Sequence, residues 1–123
     1  MGEGFSASEA LMISRIWHGW TTPANADVYE RLLRTEIFPG ILARKVAGFH
    51  DIQLLRRDAG VEVEFVTIMT FETLDAVIAF AGPNYEEGVV PDKARAVLSR
   101  FDATSQHYEI IETRQNRPRP PNF

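Results

Sequence analysis

The side chains of this sequence that could exchange a proton near neutral pH are its three histidines, His18, His50 and His107. Imidazole is the one side chain whose ordinary pKa lies close to physiological pH, so each is a candidate general base. Aromatic residues accompany them: Trp17 and Trp20 flank His18, Phe49 precedes His50, and Phe71 and Tyr85 lie further along. A histidine beside aromatic walls suits proton abstraction from a phenolic ligand, with His107 as the first-choice base and His18 the second. Trp17, Trp20, Phe49, His50, Phe71 and Tyr85 are then the candidate substrate-binding residues. Three converging imidazoles would instead suit zinc or iron, but the spacing matches no linear metal motif and no acidic partner is evident, so no metal is expected. The chain has no cysteine, which excludes disulfides, thiolate catalysis and thiolate ligation.

These residues need elements to position them. Leu11 to Trp20 is almost continuously apolar or aromatic and reads as a central strand covered on both faces. Thr22 can cap a helix with Pro23 at its first position, and Tyr29, Leu32, Leu33 and Ile37 share its apolar face. Pro39-Gly40 should break or kink it. Phe49 to Arg57 and Val61 to Phe71, joined through Asp58-Ala59-Gly60, predict a hairpin. Thr73 caps a second helix with Leu74, Val77, Ile78 and Ala81 on one face, ended by Gly82-Pro83-Asn84. Pro91 opens a short helix through Arg100, and the last strand lies within Asp102 to Thr113.

The order β-α-β-β-α-β predicts an α+β, ferredoxin-like fold: a four-stranded antiparallel sheet, order 4-1-3-2, with both helices on one face. The other face would expose apolar residues in a monomer, so a homodimer through the open sheet face, forming a dimeric α/β barrel, is expected. Taking strands one and three as parallel gathers Trp17, His18, Trp20, Phe49, His50, Phe71 and His107 at one rim. Both helix N-termini would join them and favour an anionic ligand such as a phenolate, with Tyr85 folding over the opening. Residues 11–113 form one domain between an N-terminal tail, 1–10, and a Pro/Arg-rich C-terminal tail, 114–123.

With 123 residues, the chain has room for one ordinary domain. The formal net charge of −4 gives no reason to expect nucleic acid as a partner. No apolar run reaches the roughly 18 to 20 residues of a membrane span, and no signal-peptide pattern opens the chain, so a cytoplasmic protein is expected. Gly2 matches the loose spacing for myristoylation, against the plainer reading of a tail.

The element order is joined by three local features: Pro39-Gly40 and Gly48-Phe49 around the second strand, Phe65 to Phe71 followed by Glu72, and His107-Tyr108-Glu109. On these the chain resembles the antibiotic-biosynthesis-monooxygenase-like family of dimeric α/β barrels over residues 11 to 113. The resemblance implies oxygenase chemistry on electron-rich phenols with neither metal nor flavin, so no cofactor is expected. Relatives with oxygenase chemistry often carry Trp where this chain has Phe71, and the residues that mark the haem-degrading relatives are not reproduced. Two readings stand: a cofactor-independent monooxygenase taking an aromatic small molecule, and a non-catalytic small-molecule-binding or structural dimeric barrel. In the second, His18 and His107 are imidazoles bonded to carbonyls, or lie on opposite sheet faces.

Overall fold

The computed structural model describes residues 11–116. The N-terminal tail with Gly2, and residues 117–123 of the C-terminal tail, lie outside the described residues.

β1 (Met12–Thr21) leads into α1 (Pro23–Leu32), where the Thr22 side chain accepts a hydrogen bond from the Asn25 N–H and Pro23 occupies the first turn. Of the break or kink expected at Pro39-Gly40, the break does not occur. Instead a π-helical turn, Leu33–Ile37, feeds α2 (Phe38–Ala43), so the helix runs on. Proline cannot supply the helical N–H bond, and widening the preceding turn is one way a helix absorbs that loss. Gly48, at φ 84°, closes the connection, and a Cβ there would meet the Ala76 Cβ at 2.8 Å. β2 (Phe49–Asp58) and β3 (Val63–Phe71) form the hairpin. α3 (Leu74–Ala81) begins at Thr73, whose side chain accepts from the Ala76 N–H.

Several boundaries differ from the sequence reading: β3 starts at Val63 rather than Val61, which is exposed. The helix expected from Pro91 to Arg100 is only α4 (Asp92–Val97), and the last strand comes in two parts, β4 (Arg100–Phe101) and β5 (Gln106–Ile110), both paired with β1. The sheet order is β2-β3-β1 with β4 and β5 beside β1, which is 4-1-3-2 with a split fourth strand. The core face of α3 is Ala76, Val77 and Phe80, while Leu74 is 40% exposed, so the expected face was rotated.

β1 and β3 pair antiparallel, Ile13 opposite Phe71 and Thr21 opposite Val63, which overturns the expected parallel pair. The β1-helix-β2 crossover leaves β1 and β2 pointing the same way, and the hairpin turns β3 back, so β3 must oppose β1. The C-terminal end of β1 therefore lies beside the start of β3, and the N-termini of α1 and α3 sit at opposite ends of the sheet. The single rim does not form.

Side chains alternate along the strands. Arg15, Trp17, Phe65, Met69 and Phe71 face the helices, where two clusters build the core, one around Tyr29 and Phe65 and one around Phe71 and Phe80. His18, Trp20, Val66 and Ile68 alternate with them and take the other face, on which none is fully buried.

Candidate functional site

A cavity of about 340 Å³ separates the sheet from the helical layer. Its walls are mainly apolar, among them Trp17, Tyr29, Leu33, Ile52, Met69 and Phe80. That size and lining suit a small organic ligand. The widened turn Leu33–Ile37 and α2 supply one wall, and Val89 to Pro91, before α4, supply another.

Arg15 is the charged group of β1 facing this space, and it is only 4% exposed. One guanidinium nitrogen, Nη1, donates to the Tyr85 carbonyl at 2.6 Å and lies 2.9 Å from His107 Nε2, while Nη2 donates to the Glu87 carbonyl at 3.3 Å. Among the described residues no carboxylate forms an ion pair with it. Burial pushes its pKa down to about 10, which leaves it charged at neutral pH. Because arginine only donates, His107 Nε2 must accept, and the ring is neutral with its proton on Nδ1. Burial first, and then the Arg15 charge, hold the His107 pKa below its ordinary value, with Glu86 opposing them.

Trp17 is held at the cavity wall by its own slot. Its Nε1 donates to the Asp102 carbonyl at 2.8 Å. A Cβ on Gly88 would meet Nε1 at 2.7 Å, and one on Gly19 would meet the ring at 3.1 Å. Ser105, 5% exposed, also lines the cavity, and its Oγ is buried with no hydrogen-bond partner among the described residues. Burial raises the pKa of Tyr29, so its phenol stays neutral.

The other residues singled out from the sequence are dispersed. His18 and Trp20 lie on the opposite sheet face: His18 Nδ1 is 2.8 Å from Asp102 Oδ2, and the His18 and Trp20 rings stack at 6.0 Å. Arg100 covers the Trp20 ring at 3.8 Å. His50 is exposed and pairs with Glu72 at 2.8 Å, near the far end of the sheet. Phe49 and Phe71 pack on each other at 5.3 Å, and Phe71 is fully buried in core. Tyr85 lies edge-on to His107 at 5.1 Å, covering that ring rather than the cavity. Among the described residues no three His, Asp or Glu side chains converge as a metal would require, and no helix is long and apolar enough to cross a membrane.

The structure thus brings Trp17 to the cavity, while His107 does not line it and meets it only through its contact with Arg15. Arg15, Ser105 and Asp102 were not among the residues singled out. Arg15 carried a signal all the same: it is a lone cation in an apolar strand, two positions from Trp17 and so on the same face.

No family model matches the chain, and no curated protein matches it. Solved structures do. A Bacillus cereus protein named as an antibiotic biosynthesis monooxygenase is similar with a TM-score of 0.60 and 16% identity, over 86% of this chain and 99% of its own. SnoaB, a cofactor-independent oxygenase from Streptomyces nogalater, is similar at 0.52 and 23% identity, over 89% and 100%. A monooxygenase from the gene ActVA-Orf6 of Streptomyces coelicolor, in complex with Nanaomycin D, is similar at 0.50 and 13%, over 90% and 95%. The chain has the fold of these proteins.

Proposed function

We propose that this protein is a homodimeric, cofactor-independent monooxygenase of electron-rich phenolic aromatics, with His107 as its general base. One observation carries the reading: an apolar cavity of about 340 Å³ holds a buried guanidinium that touches the lone pair of a neutral imidazole. The fold shared with named monooxygenases, SnoaB among them, supports it. His18, bonded to Asp102 on the other sheet face, has no part in this chemistry.

In this mechanism the substrate ring lies against Trp17 and its hydroxyl enters between Arg15 Nη1 and His107 Nε2. His107 takes the proton, and Arg15 holds the oxygen anion in a site of low dielectric, where that charge is worth most. Delocalisation makes the activated ring carbon electron-rich, and dioxygen is the oxidant. The carbon gives electrons to O₂ and bonds one oxygen, forming a hydroperoxide. Loss of water leaves a carbonyl, so that a CH₂ group and O₂ become C=O and H₂O. The second copy covers the open sheet face, where Ile16 and Ile68 oppose each other.

A second reading, ligand binding without turnover, is favoured by the Arg15 hydrogen bond itself, which occupies the lone pair the base would use. Oxygen uptake by metal-stripped protein offered anthrones, hydroquinones and polyphenols separates the two. Uptake above the uncatalysed rate that His107→Ala abolishes supports the enzyme; uptake at the uncatalysed rate throughout supports the binding protein.

A further inference from the structure

We infer that the cavity recognises its ligand as an anion, a planar aromatic whose ionised oxygen is seated by Arg15 and Ser105. This rests on reading the cavity as a small-molecule site, but not on turnover. Arginine carries five N–H donors. Among the described residues the hydrogen bonds to Tyr85, His107 and Glu87 use three, which leaves two for a ligand. The accepting partners are two neutral carbonyls and a neutral imidazole, so nothing among them compensates the positive charge. A buried cation without a counter-ion is costly, and an anion bound beside it recovers that cost.

The second observation is Ser105 Oγ, buried in a residue of the same cavity wall and without a partner among the described residues. Buried hydroxyls are nearly always hydrogen-bonded, and this one can donate to an ionised oxygen. Of the remaining charges, Glu86 acts on His107 as an anion but does not line the cavity. Arg44 lines the cavity as a second cation, while Glu36, the carboxylate in the wall, is neutralised by Lys93 at 2.8 Å. The body of the ligand meets Trp17, Met69 and Phe80, which suit a flat aromatic surface.

A phenolate and a carboxylate share this chemistry, and paired probes distinguish them. The full chain is titrated by calorimetry with 1-naphthoate against 1-naphthamide, and with 4-nitrophenolate against 4-nitroanisole. Charged hydrogen bonds in a buried site predict that an anion binds about tenfold or more tighter than its neutral isostere in at least one pair. Preference in the first pair alone marks a carboxylate ligand, and in the second alone a phenolate. Ser105→Ala should reduce the preference and Arg15→Gln abolish it. Equal or weaker binding of both anions, or binding by none of the four, overturns the inference; the parent and Ser105→Ala decide it if Arg15→Gln does not fold. Anion preference without oxygen uptake would sink the catalytic reading and leave this one standing.

Discussion

His107 Nε2 accepts a hydrogen bond from Arg15 Nη1 at 2.9 Å, across the register position where β5 meets β1. A permanent donor on one side fixes the tautomer on the other. Nitrogen-15 NMR of the imidazole should therefore show a bare, hydrogen-bonded Nε2 and a protonated Nδ1 at pH 7.5. A protonated Nε2 would contradict the contact.

The same contact sets a pH dependence. The folded pKa of His107 lies below its ordinary 6.5. The unfolded chain therefore binds the extra proton more readily, and stability rises with pH across that window. The contribution is complete above 6.5 and is lost as pH falls through the folded pKa. Urea midpoints measured from pH 7.5 down to 5 should fall less steeply for His107→Gln than for the parent. Equal slopes would show that the imidazole gains no proton on unfolding in that range.

Trp17 depends on the absence of a side chain at Gly88. A Cβ there meets the indole nitrogen at 2.7 Å and the Asp102 carbonyl at 3.3 Å, so Gly88→Ala must push the ring off its hydrogen bond. Overpacking of this kind costs about 1–3 kcal/mol, and tryptophan emission should shift with it. Gly40→Ala is the control. Its Cβ meets nothing within 4 Å, and it lies inside α2, so it should stabilise by roughly 0.5–1 kcal/mol.

Ile16 and Ile68 face each other on the sheet surface away from the helices, and neither is fully buried. A second copy seated there would bury both. Ile68→Lys should give monomers by sedimentation velocity while far-ultraviolet dichroism stays that of the parent. A parent that sediments as a monomer at all concentrations would remove the homodimer from the account.

Phe71 is fully buried in the core: it packs on Phe49 and Phe80 and does not line the cavity. Phe71→Ala should cost about 3–5 kcal/mol by urea denaturation. Phe71→Leu, milder in volume, should leave probe affinity within about twofold, since the ring touches no ligand. A large loss of affinity in a folded Phe71→Leu protein would return this residue to the binding wall.

The fold was legible because each element carried local instructions. Thr22 and Thr73 stand where their side chains cap helices, and Ala59-Gly60, after Asp58, opens the turn that joins β2 to β3. The site was less legible, because it depends on how strands oppose one another. Reversing β3 against β1 separates His50 from His18 along the sheet, and the two-residue alternation then parts His18 from Trp17. Neither separation alters composition or spacing. Arg15 was hidden for another reason: in an apolar strand a single arginine looks like an interruption, and only the paired strand shows that it faces His107 and a cavity.

The most direct test of the central claim is an anaerobic titration of metal-stripped protein with an anthrone whose anion has its own visible absorption band. With dioxygen absent, the account predicts that the bound ligand shows the anion band at a pH where the free ligand is neutral, and that His107→Ala binds the ligand without the band. A bound ligand that stays neutral in the parent protein, or an anion band undiminished in His107→Ala, would contradict deprotonation by His107.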